Sequence, residues 1–143
     1  MLEVIRVKKL RPDAKLPSRA TASATGYDLY ACLDADLEVG QQPTRVATGV
    51  AIEAPDGYDV QIRPRSGLSS QGVIAAFGTI DADYRGELLV TLYTLPYRDP
   101  HIVHTGDRIA QLIISRITDV PLEEVTELAE SERGTGGHGS TGR

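Results

Sequence analysis

The stretch Gly78-Thr79-Ile80-Asp81-Ala82-Asp83-Tyr84-Arg85-Gly86-Glu87-Leu88 gathers acids, a tyrosine, an arginine and two glycines between apolar segments. A carboxylate at the rim of a turn between strands can take a proton from water, and such rims often carry chemistry. The same residues also describe a plain hairpin tip, with Asp81 bonding its own backbone. A second cluster, Arg65-Ser66-Gly67, offers a guanidinium, a hydroxyl and free backbone N–H groups, which suit phosphate oxygens. It reads equally as an ordinary turn or a short helix with Ser66 as N-cap. Asp28 lies within Ala24–Ala31 on the exposed face of a strand, where an acid means little by itself. Gln111 is a polar interruption of the apolar run 108–117 that either faces solvent, the commoner case, or points into a site.

The chain finishes on Arg133-Gly134-Thr135-Gly136-Gly137-His138-Gly139-Ser140-Thr141-Gly142-Arg143. Gly134 to Thr141 imitates P-loop spacing, but Ser140 stands where the lysine is required, so that reading fails. Composition alone describes a flexible tail. Arginines, a ring and hydroxyls among glycines are also the parts of a flap that folds over a charged ligand. His101, His104 and His138 have no Cys or His partner at metal-ligand spacing.

The elements that must position these groups are strands. Tyr27, Leu29 and Ala31 oppose Asp28 and Tyr30; Tyr58, Val60 and Ile62 oppose Asp59, Gln61 and Arg63; Leu88, Val90 and Leu92 recur at period two. Leu37–Ile52 reads as strands broken by Gly40, Pro43 and Gly49, and 87–95 and 108–117 as two more. Leu2, Val4 and Arg6 predict an opening strand before Pro12. Leu122, Val125 and Leu128 have helical spacing within the short acidic run 121–131.

With 143 residues the chain is expected to fold as one domain with a proper core. A net charge of −5 argues against a nucleic-acid polymer as partner, though not against a small anion met by local arginines. The single Cys32 can form no internal disulfide, which points to a reducing, cytoplasmic compartment. The first ten residues carry charges and no long apolar run, so neither a signal peptide nor a membrane span is expected there.

Five stretches, Ala24–Ala31, Pro64–Ser69, Gly78–Leu88, Gly106–Ile113 and Arg133–Gly142, resemble in order and spacing the motifs of the trimeric dUTPase family. The resemblance implies an all-β fold, a jelly-roll-like distorted β-barrel over 1–132 with a glycine-rich arm over 133–143. It implies a homotrimer with shared sites that hydrolyses dUTP to dUMP and pyrophosphate with Mg²⁺, lowering dUTP and supplying dUMP for thymidylate synthesis. By similarity Asp81 activates the attacking water, Tyr84 packs on the deoxyribose and excludes a 2′-hydroxyl, and Asp28 positions Mg²⁺ through water. Arg65, Ser66, Gly67 and Gln111 hold the phosphates, Gly78 and Ile80 lie against the substrate, and Arg133, Gly139, Ser140 and Thr141 close over it with His138 stacking on uracil. The hydrogen-bonding pattern of uracil can be read by the backbone groups of a turn.

The chain departs from the family pattern in three ways. Ala75 stands where an asparagine often contacts the base, and Ala76-Phe77 replace a small residue and a proline; Thr94 replaces a frequent asparagine; His138 replaces the usual phenylalanine. A dCTP deaminase of the same superfamily and a non-catalytic nucleotide-binding protein of this fold are the competing readings. The glycine-rich tail speaks against the first, and the set Asp28, Asp81, Tyr84 against the second.

Overall fold

The computed structural model describes residues 3–142, so Leu2 of the expected opening strand and Arg143 of the tail lie outside the described residues. In chain order the elements are β1 (Arg6–Lys9), β2 (Tyr27–Tyr30), β3 (Leu37–Val39), β4 (Thr44–Glu53), β5 (Tyr58–Arg63), α1 (Ser66–Ser69), β6 (Val73–Ala75), β7 (Gly78–Ile80), β8 (Glu87–Thr94), β9 (His101–Val103) and β10 (Arg108–Arg116). They form two four-stranded antiparallel sheets, β1-β4-β8-β6 and β2-β10-β5-β7, and a ribbon of β3 with β9. This is the jelly-roll-like β architecture that the sequence leads one to expect.

Alternation builds the core. Leu88, Val90 and Leu92 of β8, Val46, Val50 and Ile52 of β4, Val60 and Ile62 of β5 and Leu112 of β10 are all buried in one cluster. Two irregularities interrupt the strand pairing. In β4 the register to β8 shifts between Ala47 and Ala51, and Gly49 takes φ +71° there. Gly49 therefore does not end the strand, as expected from sequence, but makes a bulge within it. Two side chains absorb the bulge: Thr48 Oγ1 donates to the Leu88 carbonyl at 2.6 Å, and the Gly49 N–H donates to Glu87 Oε2 at 2.8 Å. In β10 the register to β2 shifts between Arg108 and Ala110, which lets Ile109 and Ala110 both point inward.

The opening strand begins later than alternation suggests. Cross-strand pairing of Arg6–Lys9 with Val50–Glu53 sets its place, with Arg6 ion-paired to Glu53. The helical spacing at 121–131 yields no helix: that run is irregular, and Leu122 and Leu128 are fully or nearly fully exposed. Short, acidic and led by Pro121, it lacks the packing surface that makes short helices stable.

Candidate active site

Five of the expected residues, Asp28, Arg65, Ser66, Gly67 and Gln111, meet in one cleft at the end of the β2-β10-β5 sheet. Gln111 lies in register between Asp28 of β2 and Arg63 of β5, which sets Asp28 and Gln111 directly opposite each other on neighbouring strands. Pro64 ends β5, and the chain turns through Arg65 into the single turn of α1. Arg65 occupies the N-cap position with extended backbone and no side-chain cap, so the alternative reading of Ser66 as a helix cap does not hold. That leaves the Ser66 hydroxyl exposed rather than spent on the helix end. The cleft holds about 260 Å³ and is lined by Asp28, Arg65, Ser66, Gly67, Arg108 and Gln111, with Gly26 in its wall.

Charge inside it is organised around Asp28, whose side chain is 15 % exposed. Its Oδ1 stands 3.4 Å from Arg65 Nε and its Oδ2 3.8 Å from Arg108 Nη1. The Arg65 guanidinium also donates to the Arg108 carbonyl at 3.3 Å. Two guanidiniums and one carboxylate leave a local positive excess in a chain whose net charge is −5. Such an arrangement suits an anion with several oxygens. Gln111 Nε2 donates to the Pro64 carbonyl at 2.9 Å, tying β10 to the Arg65 turn. The Asp28 backbone is in turn bridged to Ser18 in both directions, at 2.7 and 3.3 Å.

Asp81 and Tyr84 lie elsewhere. They line a separate hollow of about 190 Å³ with Thr79, Ile80, Glu87 and Leu89, at the tip that joins β7 to β8. Asp81 is exposed, and its carbonyl accepts the Tyr84 N–H at 3.0 Å, so the tip is a turn as expected. Tyr84 Oη donates to the Glu87 carbonyl at 2.8 Å. Gly78 and Ile80 pair with Ile62 and Val60, and β7 is the outer strand of its sheet. An outer strand leaves alternate backbone N–H and C=O groups unpaired by the sheet.

The tail residues join neither hollow. Arg133, His138, Gly139, Ser140 and Thr141 are exposed, and the tail's bonds are local: Arg133 Nε to the Gly136 carbonyl at 2.6 Å, and Ser140 N–H to the Gly137 carbonyl at 3.1 Å. Sequence reasoning missed Arg108 as a cleft residue and Glu87 as the brace of the Asp81 tip. For Arg108 a signal existed, an arginine opening the strand that carries Gln111. For Glu87 there was none, because its partner is a backbone bulge. Ala75, expected where a base contact is common, is instead 3 % exposed and packed in the core.

Residues 12–142 match the family described as dUTPase. The chain is 48 % identical over 141 residues to the deoxyuridine 5′-triphosphate nucleotidohydrolase of a Hydrogenobaculum species, covering 95 % of this chain and 96 % of that one. It is 44 % identical to the enzyme of the same name from Helicobacter hepaticus, covering 96 % of this chain and 88 % of the relative. Among solved structures, the dUTPase of Staphylococcus bacteriophage 80alpha with dUpNHpp superposes with a TM-score of 0.83 at 28 % identity, over 98 % of this chain and 99 % of the other. With its fold and nearly its whole length in agreement, the chain belongs to the dUTPase family.

Proposed function

We propose that this chain hydrolyses dUTP to dUMP and pyrophosphate, with Asp81 as the base that activates water for attack on the α-phosphorus. The reaction asks the protein for a base, neutralised phosphate charge and alignment, and for little covalent chemistry. The observation that carries the reading is the cleft in which Asp28, Arg65, Ser66, Gly67 and Gln111 converge with Arg108. In it Arg65, Ser66, Gly67 and Gln111 hold the triphosphate oxygens. Tyr84 lies against the deoxyribose and leaves no room for a 2′-hydroxyl. The open edge of β7 at Gly78 and Ile80 reads the donor and acceptor groups of uracil through backbone atoms.

Mg²⁺ fits the donor set in one manner only. Among the described residues no three of His, Cys, Asp and Glu converge, and Asp28 already faces two guanidiniums. A hard ion that keeps phosphate oxygens and water as its ligands, with Asp28 reached through water, is compatible with that set. When bound it supplies charge neutralisation along the triphosphate.

Residues 1–132 are the β domain and 133–143 the arm that closes the site, with Arg133, Gly139, Ser140 and Thr141 over the phosphates and His138 on the base. A homotrimer with shared sites accounts for two features of the single chain. Its Asp81 tip and its anion cleft are separate hollows, and its run 117–131 exposes Ile117, Val120, Leu122 and Leu128. Exposed apolar side chains on an extended arm call for a partner surface. Among the described residues no helix is long and apolar enough to cross a membrane. A cytoplasmic place, where dUTP is removed and dUMP supplied for thymidylate synthesis, completes the reading.

The test is pyrophosphate release from the purified chain across the deoxynucleoside and ribonucleoside triphosphates, with ammonia release from dCTP followed in parallel. Turnover confined to dUTP supports the assignment. Ammonia from dCTP, or binding without turnover, overturns it.

A further inference from the structure

Gly86 is not in the left-handed region that makes glycine necessary at Gly49, Gly57, Gly72 and Gly106. Its reason is space. A Cβ at Gly86 would stand 2.4 Å from Tyr84 Oη, 2.6 Å from Cζ and 2.9 Å from Cε1, closer than side-chain carbons are ever found. The Tyr84 ring therefore lies across the bare Cα of Gly86. Its phenol is held at the far end by the Glu87 carbonyl at 2.8 Å, and its backbone N–H at the near end by the Asp81 carbonyl at 3.0 Å. Glu87 is itself fixed, because its carboxylate accepts the N–H of the Gly49 bulge at 2.8 Å.

We infer that Gly86 is a positioning residue for sugar selectivity: the room it leaves beneath the ring sets the orientation in which Tyr84 faces the Asp81 hollow. The inference rests on the proposed packing of Tyr84 against the deoxyribose. The atoms that would collide with a Cβ belong to the end of a side chain that is 43 % exposed, not to backbone. An alanine at 86 is accommodated by the ring swinging outward, with its bond to Glu87 broken and the strands undisturbed. What is lost is orientation, and with it the wall that excludes a 2′-hydroxyl.

The experiment compares Gly86→Ala, Tyr84→Phe and Tyr84→Ala with the parent chain, measuring kcat/KM for dUTP and for UTP together with thermal melting. For Gly86→Ala the preference for dUTP over UTP falls at least about tenfold, the low end of what a shaped pocket supplies against one added group, while melting stays near the parent. Tyr84→Phe, which keeps the ring and loses its anchor, shifts the preference less and in the same direction. If Tyr84→Ala abolishes the preference and Gly86→Ala keeps it, the positioning role is overturned and the sugar reading stands. If Tyr84→Ala keeps the preference, the sugar reading fails and takes the inference with it. Should Gly86→Ala not fold, the double variant Gly86→Ala, Tyr84→Ala decides: it folds if the ring is what Gly86 accommodates, and its failure to fold overturns the inference.

Discussion

Gly26 offers a perturbation opposite in kind to Gly86. It is buried in the cleft wall, and a Cβ there would meet Gln111 Oε1 at 2.1 Å and Gln111 Cβ and Cδ at 3.0 Å. Gln111 cannot swing clear as Tyr84 can. Its Cβ is rooted in β10 between β2 and β5, and its amide is bonded to the Pro64 carbonyl at 2.9 Å. Gly26→Ala should therefore expel the amide and press on the strand. Losing that hydrogen bond costs about 1 kcal/mol, and overpacking a fitted interior about 1–3 kcal/mol. For a chain of this size each kcal/mol lowers the melting point by about 4 °C, so a fall of roughly 8–15 °C is expected. Binding of a non-hydrolysable dUTP analogue, followed by titration calorimetry, should weaken about tenfold through loss of one phosphate contact. In a Gln111→Ala background the affinity loss from Gly26→Ala should nearly vanish, because the displaced group is gone. A Gly26→Ala protein that melts within about 2 °C of the parent and binds the analogue normally would show that Gln111 is not held as described.

Asp81→Asn should keep fold and analogue binding but lower turnover by roughly a hundred- to ten-thousand-fold, as for a lost general base; near-normal turnover removes Asp81 from the chemistry. Ala75→Asn, which at a cleft would add a base contact, should instead destabilise, since it puts an amide into the core at about 1–3 kcal/mol; a raised melting point or a sharper dUTP preference over dCTP would contradict its burial. His104 Nδ1 lies 2.8 Å from Asp36 Oδ1, and that hydrogen bond with the carboxylate's charge holds the imidazole above its ordinary range. A raised folded value means stability that is full below the unfolded value of about 6.5 and lost as pH rises through the folded one. Asp36→Asn should thus melt lower than the parent near pH 5.5, with the gap closing by about pH 8.5 and shrinking in salt. Finally, full-length Asp81→Asn and a chain lacking residues 133–143, each inactive, should regain activity when refolded together, with about a quarter of sites complete if tip and tail come from different subunits; no recovery in proven mixed trimers would place both in one subunit.

The strands were legible wherever one face meets the core, because period-two alternation records burial directly, as in Tyr58–Ile62 and Leu88–Leu92. Where pairing rather than burial sets the limits, the signal failed. All four residues of β1 are exposed, and just before it Ile5 packs against the core while Val4 is exposed. Alternation through Val4 and Arg6 therefore followed the wrong face, and the strand begins only where Arg6 meets Glu53. The Gly49 bulge hides for a related reason: a glycine inside a strand looks like an end until the groups that absorb the extra residue, Thr48 and Glu87, are seen in place. Spacing in 121–131 misled because three apolar residues at helical intervals say which side chains want cover, not that cover exists within the chain. Site residues were legible as types against a bland background, whereas which of them share a hollow was not.

That division has a physical sense. The anion cleft is built on the centre of a sheet, with Asp28 bridged through its backbone, Gln111 bonded across strands and two guanidiniums held by one carboxylate. Its shape exists before a ligand arrives, which spares the cost of ordering long side chains on binding. The Asp81 tip is exposed yet braced, through Tyr84 and Glu87, to a bulge in the other sheet. Among the described residues the tail is held by short-range bonds, the Gly134 N–H donating to Ser131 Oγ at 3.1 Å, with His138 at φ 47° beside Gly139 at φ 90°. Rigidity thus falls from cleft to tip to tail. On the proposed reading that is the order in which the parts act: the triphosphate is received by preformed charge, the sugar is checked by a held ring, and the glycine-rich arm closes last. An arm prefolded over the cleft would bar the ligand's way in, so an arm held by short-range turns before the ligand arrives is what that order requires.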